Sequence, residues 1–237
     1  MSIILDRSKI VKALHLLTKN DPDAVVEVRL LPRKGRGIVA GYFDPSSFDS
    51  VPDKLLPYLR KGSYNCYVTM NTLHQGLLSR YYRRFEEYPP NTTNDSEVTR
   101  YRWIMLDFDP VRPSNINATE EERQIAIALA AEVKDYCITE LGMDEPLECI
   151  SGNGVHHLYP FDMPVTKESV SIVKNLLLDL AQRFSNELCK VDTANYNPAR
   201  ITKLYGTLAG KGDNTESRPY RLAEIVLVPP ALEADHE

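Results

Sequence analysis

A chain of 237 residues with 43% apolar and 26% charged side chains has the balance of an ordinary globular protein, which excludes disordered, collagen-like and coiled-coil architectures. Its best apolar run, Ile125 to Ala131, falls far short of the roughly 18 residues a membrane span needs, and Asp6 and Arg7 stand where a secretory signal would be apolar, so a cytoplasmic protein without a membrane partner is expected. The formal charge of −5 argues against a surface wrapped in nucleic acid but allows a local basic groove.

In chain order, Ile10 to Leu17 carries apolar residues at helical spacing, and Ala24 to Leu31 and Gly37 to Phe43 read as strands around a turn over Pro32 to Gly37. Tyr64 to Met70 alternates like another strand, and Leu73 to Phe85 is expected to be helical. The basic residues of this half, Arg33, Lys34, Arg36, Arg80, Arg83 and Arg84, read first as solvated surface charges. Tyr88 to Glu97, YPPNTTNDSE, can bury little apolar area. It reads as a solvated connection dividing an N-terminal α/β module, residues 1–97, from a second module, residues 98–237.

Trp103 to Leu106 is apolar at every position, as in a central strand covered on both faces, and runs into Asp107-Phe108-Asp109-Pro110. Thr119 and Glu122 form a capping box opening a helix that Gly142 closes. Leu147 to Ser151 and Val155 to Phe161 read as a β-hairpin around Gly152-Asn153-Gly154. A second helix begins after Thr166, with Val170, Val173, Leu177, Leu180 and Phe184 on its buried face, and Leu188 to Asp192 is strand-like. The order β-α-β-β-α-β is the split arrangement in which two helices cover one face of a four-stranded antiparallel sheet. The expected fold class is therefore α+β, with the other sheet face free to hold chemistry. The four dispersed cysteines, Cys66, Cys137, Cys149 and Cys189, show neither a C-x-x-C pair nor zinc spacing and read as buried, reduced thiols.

Alternation sends Asp107 and Asp109 to one face, about 7 Å apart after two rises of roughly 3.3 Å, with Phe108 pointing the other way. Carboxylates ending an apolar strand are costly unless partnered. Mg²⁺ or Mn²⁺, which seek oxygen ligands, supply a partner; a strand end capping a loop explains the same D-F-D-P. Asp192, ending the last strand of the unit, can reach the same cations. In Ser151-Gly152-Asn153-Gly154-Val155-His156, the glycines let backbone N–H groups approach an anion, while Ser and His offer donors suited to a phosphate tail. As turn chemistry, G-N-G is equally well explained by positive φ. His156 and His157 face opposite ways, and periodicity does not say which one faces the acids. From Asn197 to Arg221, the basic residues Arg200, Lys203, Lys211, Arg218 and Arg221 outnumber Asp213 and Glu216 to leave a local charge of +3. Phosphoryl transfer from a triphosphate requires such a patch beside its carboxylates. Gly206 to Lys211 is a decoy, one residue short of a P-loop and without its Ser/Thr.

Taken in order, VEVRLL, GYFD, YVTMN, WIMLDFDP, SGNGVH, Val191-Asp192 and NPARITKLYGT with KGD and RPYR resemble the archaeo-eukaryotic primase superfamily, in particular the primase-polymerases of prokaryotes, plasmids and phages. The resemblance runs through most of the chain. It implies an RRM-like catalytic module packed against the N-terminal α/β module, with Asp107, Asp109 and Asp192 binding two divalent metal ions, Mg²⁺ or Mn²⁺. It also implies contact of Ser151 and His156 with the phosphates of an incoming nucleotide, with Gly152, Asn153, Gly154, Arg200, Lys203, Lys211 and Arg221 in further nucleotide-binding positions. His156 is thereby chosen over His157, which departs from the apolar residue usual there. The implied enzyme is a nucleotidyltransferase, a DNA primase or polymerase using dNTP or NTP with single-stranded DNA template and primer, to which relatives often append helicase or accessory domains. Two other readings stay open: a non-catalytic RRM-like module that binds single strands by stacking, and a two-metal palm acting as a nuclease or nucleotide cyclase.

Overall fold

Asp6 caps the first helix, α1 (Arg7–Leu17), by accepting a hydrogen bond from the Lys9 N–H. There follow β1 (Val26–Pro32), β2 (Val39–Phe43), α2 (Val51–Arg60), β3 (Tyr64–Thr69), β4 (Thr72–Leu73), β5 (Phe85–Glu87) and the long β6 (Val98–Pro110). Then come α3 (Glu120–Thr139), β7 (Leu147–Ile150), β8 (Val155–Pro164), α4 (Lys167–Phe184), β9 (Cys189–Val191), β10 (Ile201–Lys203), β11 (Leu208–Ala209), β12 (Arg221–Leu222), β13 (Glu224–Leu227) and α5 (Pro230–Glu233). This computed structural model describes residues 4–35, 37–60 and 64–233; Arg36 lies outside the described residues.

Among the described residues, two large antiparallel sheets and a two-stranded one, β11-β12, result. The first is five-stranded in the order β10-β3-β1-β2-β5, and the second is six-stranded in the order β13-β7-β8-β6-β4, with β9 pairing the far end of β6. Within the second sheet, β9-β6-β8-β7 with α3 and α4 is the split βαβ unit expected from the element order. The fold is α+β. The sheets also exchange strands, since β10 from the last third of the chain edges the first sheet and β4 edges the second.

Alternation along β6 distributes its side chains between two cores. Ile104, Leu106 and Phe108 pack with Ala126, Val133, Val173 and Leu177 of the two helices, whereas Trp103 and Met105 join Ile10, Leu14 and Leu17 of α1 in the other core. Each such fully buried large side chain contributes about 1.5–3 kcal/mol. A bulge sets the phase: the β6–β8 register shifts between Tyr101 and Trp103, and the Asn71 side-chain oxygen accepts the N–H groups of Arg102 and Trp103 at 2.9 and 3.3 Å. Tyr101 therefore faces the helices and Trp103 the opposite side, although two residues apart they would share a face in a regular strand. The sheet face expected to be free is covered over most of its length by α1 and the first sheet. Only its end, at Asp107 and Asp109, opens to a cavity.

The stretch expected to be helical, Leu73 to Phe85, instead forms strand β4, a short 3₁₀ turn over Gln75–Ser79 and the start of β5. Leu73, Leu77 and Tyr81 do bury together with Tyr42, but Gly76 disfavours a helix and the His74 ring accepts the Gly76 N–H instead. Helix α2, which the pattern left unassigned, carries Pro57 in its interior, a residue that normally argues against helix. The connection over 88–97 is mostly exposed but pinned at Thr93. There the buried Glu27 carboxylate accepts the Thr93 N–H at 2.6 Å and the Arg29 guanidinium at 2.6 and 2.8 Å. All four cysteines are buried and free, and no helix among the described residues is long and apolar enough to cross a membrane.

Candidate active site

The acidic residues are gathered by three neighbouring strands. On β6, Asp107 lies opposite His156 of β8, and on its other side the Asp192 N–H donates to the Asp107 carbonyl at 2.9 Å, continuing the pairing of Phe108 with Val191 on β9. Directly opposed residues of an antiparallel pair share a face. His156, Asp107 and Asp192 thus stand in a row across the sheet, and Asp109 follows Asp107 one step along the strand. A cavity of about 270 Å³ between the two sheets is lined by all three aspartates together with Ser151, Asn153, His156, Arg200, Lys203 and Lys211.

Charge and burial explain the chemistry of the acids. Asp107 is pushed up to about 7, first by burial and then by the negative charges of Asp109 and Asp192, with Lys211 and Lys203 opposing. Three carboxylates this close repel one another unless a cation intervenes. Arg112, its side chain 5% exposed, donates to Asp109 Oδ1 at 2.9 Å, and Lys211 Nζ stands 3.8 Å from Asp109 Oδ2. Asp192 Oδ1 accepts the Ala194 N–H at 2.8 Å. As these side chains are placed, no three His, Cys, Asp or Glu among the described residues already form a metal cage. The donors nevertheless fit Mg²⁺ or Mn²⁺ in kind, being carboxylate oxygens gathered on one wall, where burial and then mutual repulsion raise the pKa of Asp107.

His156 Nε2 lies 3.5 Å from Asp107 Oδ1, and its Nδ1 lies 2.9 Å from the Tyr205 hydroxyl and 3.3 Å from that of Thr202, which are themselves 2.9 Å apart. Burial, aided by Lys203 and His157, pushes the imidazole down to about 3. The ring is therefore neutral, and its one proton sits best on Nε2 beside a carboxylate. Nδ1 then accepts from Tyr205, which in turn accepts from Thr202. The result is an oriented N–H at the cavity wall. His157 points into the helix-side core against Phe108, ring centroids 5.4 Å apart, and its Nε2 is 3.8 Å from Glu148.

The turn after β7 is shaped by close approach. A Cβ on Gly154 would meet the Phe108 carbonyl oxygen at 2.1 Å and the Asp109 Cα at 3.4 Å, so only glycine lets the turn lie against the acidic strand. Gly152 holds φ +100°. Ser151 Oγ accepts the Gly154 N–H at 3.1 Å and keeps its own proton to donate, while Asn153 Oδ1 accepts the Ala118 N–H at 2.8 Å. Lys203 Nζ donates to the Tyr67 hydroxyl at 2.8 Å and lies 4.2 Å from the centre of that ring. Arg200 reaches the Ala194 carbonyl through Nη2, and its buried Nε has no hydrogen-bond partner among the described residues. Arg221 stands apart from this cavity: it donates to the Ala118 carbonyl at 2.8 Å and braces the start of α3 near Glu120. Arg218 is similarly taken up by both oxygens of Glu122, at 2.8 and 2.9 Å.

Several wall residues escaped sequence reasoning. Arg112 sits three after Asp109, a spacing that could have marked it. Asn195, buried and with an Nδ2 that has no partner among the described residues, follows Asp192 by the same interval. Tyr67 and Tyr205 gave no signal of their own, because one is an ordinary aromatic in a strand and the other an ordinary aromatic in the turn after β10. The decoy glycine segment proves structural: Gly206 sits at φ +97°, where a Cβ would meet the Ile10 nitrogen at 2.7 Å.

No protein-family model matches the sequence, and no curated protein matches it. Among solved structures, the chain is similar to the crystal structure of primase RepB′, at 9% identity and TM-score 0.47, over 95% of this chain and 60% of that one. It is also similar to the polymerase domain of Ligase D from Mycobacterium tuberculosis in complex with DNA, at 12% identity and TM-score 0.46, over 98% of this chain and 82% of that one. At these identities and TM-scores the likeness assigns no role to any side chain.

Proposed function

We propose that this chain is a primase-polymerase that transfers nucleotidyl groups from dNTP or NTP to a 3′-hydroxyl on a DNA template and starts strands de novo. One observation supports this reading above the others. Asp107, Asp109 and Asp192 share one cavity with Arg200, Lys203 and Lys211, and its lining includes Asn195 and Arg200, whose Nδ2 and Nε are buried donors with no hydrogen-bond partner among the described residues. Acids facing cations across so small a space suit a ligand with a polyanionic tail and a reacting phosphorus between them. Two ions of Mg²⁺ or Mn²⁺ held by the three carboxylates would lower the pKa of the attacking hydroxyl and neutralise the departing pyrophosphate.

The chain's own groups divide the remaining work. Lys203, Arg200 and the Nε2–H of His156 orient the phosphate oxygens, Ser151 adds its hydroxyl proton, and Lys211 balances Asp109. Residues 98–237 carry the acids, and residues 1–97 close the cavity with Leu31 and Tyr67. The new bond joins the 3′-oxygen to the α-phosphorus. The bond from that phosphorus to its bridging oxygen breaks, pyrophosphate leaves with the electron pair, and the hydroxyl proton passes to water.

A template-dependent assay offering primed and unprimed single-stranded DNA with each sugar type tests the proposal. With Mn²⁺ or Mg²⁺ the parent chain lengthens primers stepwise, and a folded Asp107→Ala/Asp109→Ala variant does not. Extension by that folded variant would refute the assignment of the acids. Product length separates polymerisation from cyclisation or hydrolysis.

A further inference from the structure

Lys211 reaches the acidic cavity from the loop between β11 and β12, residues 210–220, with a glycine on either side of it. Two flanking glycines outside any strand would leave such a side chain loose. The loop backbone is instead taken up by side chains from elsewhere in the fold. Asn65 of β3 lies on the same face as Tyr67, two residues on, and bonds both backbone groups of Gly210. Its Oδ1 accepts the N–H at 3.0 Å, and its Nδ2 donates to the carbonyl at 3.0 Å. Arg33 Nε donates to the same Oδ1 at 3.3 Å, which fixes the orientation of that amide. Asn117, 1% exposed, accepts the Lys211 N–H through Oδ1 at 2.7 Å and donates through Nδ2 to the Arg218 carbonyl at 3.0 Å. The Tyr220 hydroxyl donates to the Gly212 carbonyl at 2.6 Å. Close packing completes the clamp: a Cβ on Gly210 would meet Tyr220 Cδ1 at 2.4 Å, and one on Gly212 the Asn115 carbonyl oxygen at 2.2 Å.

Resting on the function proposed above, we infer that Asn65 and Asn117 are positioning residues that hold the Lys211 ammonium ready for the triphosphate. Neither asparagine lines the cavity, so each acts through the backbone at or beside the lysine. The ammonium makes one ion pair among the described residues, with Asp109 at 3.8 Å, and its side chain is half exposed. Its place is therefore set chiefly from the backbone behind it. A cation already in position binds a polyanion better than one that has first to be ordered, because the entropy of ordering is met on folding and not on binding. One amide comes from the first sheet and the other from the segment leading into α3, and the loop is stretched between them. Displacing either anchor leaves the positive charge present but misplaced.

A double-mutant cycle on the binding of a fluorescent dNTP with Mn²⁺ tests this, with thermal melting to check that each chain is folded. Asn65→Ala and Asn117→Ala are each expected to raise Kd about fivefold in the parent, as loss of one hydrogen bond does. In a Lys211→Ala chain, where no ammonium is left to misplace, the same changes should raise it less than about twofold. Asparagines that only brace the fold would weaken binding equally in both backgrounds. Equal effects, an unchanged Kd for either asparagine variant, or a Lys211→Ala chain that binds dNTP as tightly as the parent overturns the inference, while the polymerase reading stands if the parent extends primers. Hydrogen exchange on the unaltered chain needs no variant. The Gly210 and Lys211 amides are expected to exchange slowly before dNTP is added, as bonded groups do, and exchange at the rate of a free loop overturns the inference as well. A parent chain that binds no dNTP and extends no primer overturns both readings.

Discussion

At the scale of single residues, Asp107 makes the protein's stability depend on pH in a direction opposite to that of most acids. Its carboxyl is pushed up to about 7 in the folded chain from an ordinary 3.8, so between those values the folded state holds a proton that the unfolded chain releases. The sign follows: stability from this group is full below about pH 4 and is lost as pH rises through 7, at up to about 1.4 kcal/mol per pH unit between. Thermal melts without divalent ions should show this decline. Asp107→Asn should flatten it, and Mn²⁺ should raise Tm more at pH 8 than at pH 5, because the ion replaces the proton. An equal Mn²⁺ effect at both values would count against ion binding at these acids. Tyr205 offers a second test. Removing its hydroxyl in Tyr205→Phe leaves His156 Nδ1 without its shortest partner. A hydrogen bond of about 1 kcal/mol should appear as a roughly fivefold higher KM for nucleotide with kcat little changed. An unaltered KM would show that the orientation of this ring does not matter for binding.

At the scale of elements, the turn between β7 and β8 carries the sharpest steric demand at the site. Gly154→Ala would drive a methyl into the Phe108 carbonyl. The expected loss is about 1–3 kcal/mol, read by urea denaturation, together with weakened Mn²⁺ binding because the displaced strand carries Asp109. The common face of Asp107 and Asp109 was legible in the sequence because alternation is local. Periodicity did not decide between His156 and His157, a choice made only by the resemblance, since it depends on which residue stands opposite Asp107 across forty-nine positions of chain. For the same reason the bulge at Arg102 left no trace: its cause is Asn71, on a distant loop. Leu73, Leu77 and Tyr81 misled in the opposite way, since helical spacing buried them in a segment that is not a helix.

At the scale of the whole molecule, the connection over 88–97 is held to the first sheet by polar contacts that composition could not announce. Glu27 is fully buried yet satisfies Arg29, Thr93 and the Tyr42 hydroxyl. Breaking such a pair by removing one charge costs about 3–5 kcal/mol. Glu27→Gln should therefore lower the urea midpoint markedly and make the 88–97 segment newly sensitive to protease. A midpoint unchanged from the parent would mean that the pair contributes nothing net. The basic run after Asn197 was legible as a cluster, but its division was not: Arg200, Lys203 and Lys211 reach the cavity while Arg218 and Arg221 brace α3, a split decided by where the loop turns.

The swapped edge strand also has a bearing on synthesis. As the chain leaves the ribosome, β3 emerges well before residues 201–203, which are to cover its open side. Until they arrive, that side presents unpaired backbone groups to any neighbouring polypeptide. Nascent chains interrupted before this point should be clients for chaperones and prone to clumping, and neither half should be obtainable as a well-behaved fragment.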